Sequence, residues 1–151
     1  MAKRTRFEKA ECPIARSMDA IGDPWSMLII RDAMLGLRRF SEFQKNLGLA
    51  KNILTVRLRA LVANGILKTE PASDGSAYQE YVLTPKGRGV FPVIVALRQW
   101  SEEFAFAPKE LSNVLVDRKS GRRVRKLELR SQDGRLLGAG DTEVKAASSA
   151  P

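Results

Sequence analysis

The chain has 151 residues, with 26 lysines and arginines against 17 acids, a formal net charge of +9 and a pI near 10.1. Its length suits one compact domain with a small appendage, and its charge suits a polyanion: nucleic acid ahead of an anionic membrane, which would also call for an amphipathic or lipidated anchor. With no histidine and one cysteine, the composition argues against a Cys/His zinc site, rules out an intramolecular disulfide and suggests no cofactor.

The charged start, Met1-Ala2-Lys3-Arg4-Thr5-Arg6, leads into no long apolar segment. No run approaches the roughly 18 apolar residues of a membrane span, so neither a signal peptide nor a membrane partner is expected, and the location expected is cytoplasmic. Cys12-Pro13 opens the first helix, with proline at a tolerated early position and Ile14, Ala15, Met18 and Ile21 as the inner stripe. Gly22-Asp23 ends it. Pro24 restarts a helix over 25–35, whose run of Met27, Leu28, Ile29, Ile30, Met34 and Leu35, broken mainly by Arg31-Asp32, predicts a central buried element. Trp25 is read as core. Ser41 is placed as the N-cap of a short helix through Asn46, with Phe40 and Phe43 packing inward.

Gly48 makes a turn, and a second helix begins near Ala50 and stops at Gly65. If Leu54, Leu58, Leu61 and Val62 face the core, then Asn52, Thr55, Val56 and Arg59 point outward. That outer face can bond base edges and phosphates, and it holds nothing suited to catalysis. Short helix, tight turn and polar-faced helix together predict a helix-turn-helix. Two strand-like runs follow, 66–70 and 78–83, joined by a turn-rich segment with Asp74-Gly75, and a hairpin in this position is a wing. Thr84-Pro85-Lys86-Gly87 predicts the start of a long helix to about residue 106, kinked at Pro92. Its broad apolar face of Phe91, Ile94, Val95, Leu97, Trp100 and Phe104 reads either as a dimer interface or as an ordinary core face.

Residues 108–113 read as a linker. Runs at 114–116, 124–130 and 136–137, turned at Ser120-Gly121 and Asp133-Gly134, predict a small meander, and 138–151 is expected to be disordered. The fold class expected is α+β, mostly α: a winged helix-turn-helix with a long C-terminal dimerisation helix and a small β-rich extension. The domains expected are 1–107, 108–137 and the tail 138–151.

Read together, Cys12-Pro13-Ile14, Gly22-Asp23-Pro24-Trp25, Arg39-Phe40-Ser41-Glu42, the 52–67 stretch and Glu80-Tyr81-Val82-Leu83-Thr84-Pro85-Lys86-Gly87 resemble the HxlR-type family of bacterial winged helix-turn-helix regulators, within the MarR-like superfamily. The resemblance covers about residues 12–100. It implies the family's fold, a homodimer and binding to double-stranded promoter DNA, with repression as the common outcome. Where many members carry Ser and Gln ahead of the recognition helix, this chain has Ala50 and Lys51, a change expected to alter which operator is read.

On this reading Lys51 and Asn52 lead the recognition helix into the major groove, and Asn52, Thr55 and Val56 read bases. Arg59 reads a base or a phosphate and Arg57 is a further contact, and for each of them the alternative is a surface ion pair. Asn52 alternatively caps its helix. Ser41 and Gln44 on one side, and Ser73, Ser76 and Lys86 on the other, are placed on the DNA backbone, where contacts set register rather than sequence. Cys12, at a helix start with Lys9 and Arg16 nearby in sequence, is the candidate redox or electrophile sensor, a role some family members have; the alternative is a small buried hydrophobe. A small-molecule effector bound near the dimer helices or the extension is the other regulatory reading. The crowd of Arg118, Lys119, Arg122, Arg123, Arg125 and Lys126 is a phosphate patch, a ligand module or a solvated face. No nucleophile–base pair or phosphate cradle supports an enzyme.

Overall fold

The computed structural model describes residues 6–151; the reading of Met1–Thr5 as part of a leaderless start lies outside them. The elements in order are α1 (Pro13–Ile21), α2 (Pro24–Met34), α3 (Phe40–Leu47), α4 (Lys51–Ala63), β1 (Leu67–Pro71), β2 (Gln79–Leu83), α5 (Pro85–Arg88) and α6 (Phe91–Phe104). Two compact units form, Met1–Ile94 and Val95–Pro151, and the division falls inside α6. Among the described residues no helix is long and apolar enough to cross a membrane.

The first unit is the winged helix-turn-helix. Asp23 caps α2 by accepting the Ser26 N–H at 2.9 Å, and Pro24 occupies the first turn, where a missing N–H costs nothing. Ile29 and Ile30 on α2, Phe43 on α3, Leu54, Leu58 and Leu61 on α4, and Ile66 and Leu67 beyond it are all buried in one cluster, with Trp25 packed at its edge. Each such side chain contributes roughly 1.5–3 kcal/mol by leaving water. Gly48 turns the chain between α3 and α4 at φ 63°, a left-handed conformation that a side chain disfavours. The wing is an antiparallel pair running from Leu67 opposite Leu83 to Pro71 opposite Gln79.

Several expectations are corrected. The inner stripe of α1 is narrower than expected, since Ile14 is 70 % exposed and only Ile21 is buried. Ser41 does not cap α3. The helix starts two residues earlier, with Arg39 at its N-cap, and the Glu42 carboxylate reaches back to the N–H groups of Arg38 and Arg39 at 2.8 and 2.9 Å. An acid bonding two orphan amides, aided by the helix dipole, outcompetes a hydroxyl bonding one.

The single helix expected from 84 to 106 is two. Thr84 Oγ1 accepts the Gly87 N–H at 3.0 Å and starts a short helix that ends at Gly89. Continuing it would set the Pro92 ring against the Arg88 carbonyl, whereas the first turn of α6 accommodates a proline. Gly87 is needed for space: a Cβ there would strike the Ile66 carbonyl oxygen.

In the second unit the expected meander is reduced to isolated bridges, Val116–Arg123 and Arg130–Leu136. Val116, Leu127, Leu129 and Leu136 are all exposed, so no buried face rewards a continuous ladder. The tail, expected to be disordered, carries 3-10 turns at Ala139–Asp141 and Ala147–Ser149. The α6 end of this unit acts as its spine. Gln99 donates to the Arg125 carbonyl at 3.0 Å and accepts from the Leu127 N–H at 2.8 Å, while Arg98 donates to Asn113.

Candidate nucleic-acid interface

The recognition helix α4 divides cleanly by exposure. Leu54, Leu58 and Leu61 are buried, whereas Lys51, Asn52, Val56 and Arg59 are exposed, so the packing that fixes the helix also aims the opposite face at solvent. Its N-cap is Ala50, which has no side chain to bond the first amides. Asn52 therefore is not the cap. None of the Asn52, Lys51 and Arg59 side chains engages another group among the described residues, leaving an amide, an ammonium and a guanidinium available to a ligand. Val56 stands 59 % exposed and Ile53 40 %, apolar surface of the kind that meets a thymine methyl. Thr55 is half-buried and donates its hydroxyl to the Lys51 carbonyl at 2.8 Å.

Most of the other predicted contacts are tied into the fold, Ser41 excepted. Arg57 is half-buried and faces Asp23 at 3.4 Å, which joins α4 to the α2 cap. Gln44 donates to the Leu49 carbonyl at 3.3 Å and braces the turn between α3 and α4. Lys86 donates to the Asn64 carbonyl at 2.7 Å, placing a cation at the negative end of α4. Ser41 is exposed in the first turn of α3. Ser76 is half-buried in the wing turn, where its N–H donates to Asp74 at 3.0 Å. Cys12 is exposed at the start of α1, so the reading of it as a buried hydrophobe does not hold; Arg16 donates to the Ala10 carbonyl.

Sequence reasoning missed the clamp that sets the wing. Glu80 on β2 is buried, opposite Glu70 in the ladder, where two like charges would repel. Ser73 closes on it from the wing turn, donating its N–H at 3.3 Å and its hydroxyl at 2.9 Å. Arg38 and Arg39, ahead of α3, approach it at 3.5 and 3.7 Å. Arg39 also pairs with Asp74 at 2.5 Å, and the Tyr81 N–H donates to the Arg38 carbonyl at 2.7 Å. The Ser73 hydroxyl first, then its amide and Arg38, hold the Glu80 carboxyl below its ordinary range. The Arg39 hydrogen bond pulls Asp74 far lower. A second buried acid, Asp32, accepts from Arg31 at 2.7 Å and from Asn46 at 2.7 Å, locking α3 to α2.

Comparison with known proteins agrees with this geometry. A model of the HxlR-like helix-turn-helix matches residues 20–109. An uncharacterized HTH-type transcriptional regulator of Mycobacterium tuberculosis, Rv3095, is 38 % identical over 104 residues, 69 % of this chain and 65 % of that protein, so the match spans just under two thirds of its length. The crystal structure of PA1607, a candidate transcription factor, superposes with a TM-score of 0.89 at 56 % identity, covering 93 % of this chain and 99 % of the other. The redox regulator HypR in its oxidized form gives a TM-score of 0.57 at 30 % identity over 64 % of this chain and 100 % of its own. PA1607 thus shares most of both units, and HypR cannot match both in full.

Proposed function

The chain belongs to the HxlR-like helix-turn-helix family of transcriptional regulators, and from that premise we propose that it represses transcription by binding a near-palindromic operator as a homodimer. The observation carrying this is the split of α4 into a buried apolar face and an outer face whose Lys51, Asn52 and Arg59 are unengaged. An asparagine amide pairs bidentately with adenine and an arginine with guanine, so Asn52 and Arg59 supply base readout, with Val56 against a thymine methyl. Lys51 and the uncapped amides at the α4 start suit a phosphate. Dimerisation rests on the apolar residues that α6 leaves exposed, among them Leu97, Trp100 and Phe104, with the last two rings 5.9 Å apart. Two copies would present α4 to successive major grooves about 34 Å apart.

Selection of bound duplexes from a random library should return an inverted repeat, and a single unrepeated site would remove the dimer. Asn52→Ala should relax discrimination at one base pair per half-site by about 1–3 kcal/mol. Its thermal stability should stay unchanged, because Asn52 makes no cap bond to lose. A variant that keeps full discrimination removes Asn52 from the reading set.

A second reading concerns the signal. An exposed thiol at the start of α1 is open to an electrophile, and among the similar structures is that of the redox regulator HypR. The Cys12 thiol gives its proton to water, and the thiolate adds to a quinone ring carbon: the S–C bond forms as the C=C π bond breaks, its electron pair passes to a quinone oxygen, and that oxygen takes up a proton from water. Treatment with a quinone should lower operator affinity in the wild type and leave Cys12→Ser unaffected; equal affinity before and after wild-type modification ends the sensor reading. An effector site in the second unit is the rival, favoured by a cavity of about 270 Å³ lined by Arg98, Glu102, Phe106 and Asn113. Metabolite-induced thermal shifts that persist in Cys12→Ser would point there.

A further inference from the structure

The second unit concentrates positive charge where nothing balances it. Arg118, Lys119, Arg122, Arg123 and Arg125 fall within nine residues, all exposed, alongside a single acid, Asp117. Their backbone is hydrogen-bonded into a turn. The Gly121 N–H donates to the Asp117 carbonyl at 2.7 Å, the Asp117 N–H donates to the Arg122 carbonyl at 2.8 Å, and Val116 bridges to Arg123. The Asp117 carboxylate accepts the N–H groups of Lys119 and Ser120 at 3.1 Å each. Those bonds, the Ser120 hydroxyl foremost, hold its pKa below the ordinary value, so the one local anion is committed to building the turn.

The contrast with the following residues is informative. From Lys126 onward every lysine and arginine has an acid: Lys126 with Glu103, Arg130 with Glu128, Arg135 with Asp133 and Lys145 with Glu143. From Arg118 to Arg125 none of the five side chains engages any other group among the described residues. The cations that follow the turn are each answered by an acid, and those of the turn are not. Like charges held so close repel even through a Debye length of about 8 Å, a cost that binding an anion would remove.

We propose that the 117–125 turn is a second DNA contact, binding duplex phosphates in addition to those engaged by the winged helix-turn-helix; this rests on the operator-binding reading above. Four of the five cations are arginines, whose planar forks match phosphate oxygens in pairs. The turn has no aromatic residue on which an unpaired base could stack, which favours duplex backbone over single strands. It also lacks the broad apolar face that seats a peptide on a lipid surface.

The test uses the full-length chain and random-sequence duplexes of 40 base pairs, comparing wild type with Arg118→Gln/Lys119→Gln/Arg122→Gln/Arg123→Gln. Counterion release contributes about 0.9 to the log–log salt slope per phosphate contact, so the slope should shrink by roughly 2–4 and affinity near 0.15 M salt should fall about tenfold or more. Base preference in the library selection should stay as in the wild type. A control removing three paired cations, Arg130→Gln/Arg135→Gln/Lys145→Gln, should leave the slope in place. Because all these side chains are exposed, the variants should melt like the wild type. If the first variant does not, Arg118→Gln/Lys119→Gln should give about half the effect. An unchanged slope overturns the proposal, and so does an equal loss in the control, which would mean net charge alone is responsible. Unchanged DNA binding together with lost binding to an acidic protein or anionic vesicles overturns it as well. A wild type that binds no duplex at all overturns the operator reading itself, and is recognisable because no variant is needed to see it.

Discussion

Phe43→Ala is expected to destabilise the winged helix-turn-helix by about 3–5 kcal/mol, the range for deleting a fully buried ring. The side chain is entirely out of solvent between α2, α4 and the wing, and its ring meets Tyr81 edge-on, with centroids 6.5 Å apart at 77°. That edge contact adds roughly 0.5–1.5 kcal/mol to the burial, and the helices on the far side cannot close the void without leaving their own contacts. The loss is read as a lowered urea midpoint at an unchanged slope. Val56→Ala provides the opposing measurement. Exposed on the outer face of α4, it should move stability by no more than about 0.5 kcal/mol while weakening discrimination for thymine. If Val56→Ala were as destabilising as Phe43→Ala, the outer face would be a packed face and the base-reading assignment would fail.

Those two residues show what a sequence discloses. Period-3.6 spacing separates Leu54, Leu58 and Leu61 from Asn52, Val56 and Arg59 because burial along a helix is a local property, set by residues three and four apart. Gly48, Pro24 and the Asp74-Gly75 turn were legible for the same reason: each acts on its own backbone. Arg39, Asp74 and Glu80 were not. Arg39 and Asp74 are 35 positions apart, and their pairing exists only once β2 is in register with β1 and the wing folds back on the start of α3. A glutamate in a short strand reads as a solvent-facing residue until that register puts Glu70 opposite it. The residues that look most like DNA ligands in one dimension, Arg57 and Lys86, are in three dimensions bonded to Asp23 and to the end of α4. Charge alone therefore overstates the contact set. Adding each cation's structural partner reduces the α4 candidates to those that remain unengaged.

The wing clamp predicts a second large effect, one that should depend on acidity. Glu80→Ala removes the acceptor on which Ser73, Arg38 and Arg39 converge, so the 73–77 turn should become open to protease while α4, whose core contacts are elsewhere, stays folded. Because wing contacts position the protein on the duplex without choosing sequence, operator affinity should fall roughly tenfold or more with the order of base preferences preserved. The pH dependence follows from the two lowered carboxyl pKa values. A group more acidic when folded stabilises fully above its unfolded pKa, about 3.9–4.3 for these side chains, and loses that contribution only as pH falls through the lower folded value. The wild-type wing should accordingly stay closed through pH 4 and open below the ordinary carboxylate range. Arg39→Gln, which takes away the strongest partner of Asp74, should move that opening upward toward it. Protease sensitivity of the turn measured against pH would check both, and a wild-type wing that opens at pH 5 or above would show that the clamp does not hold it.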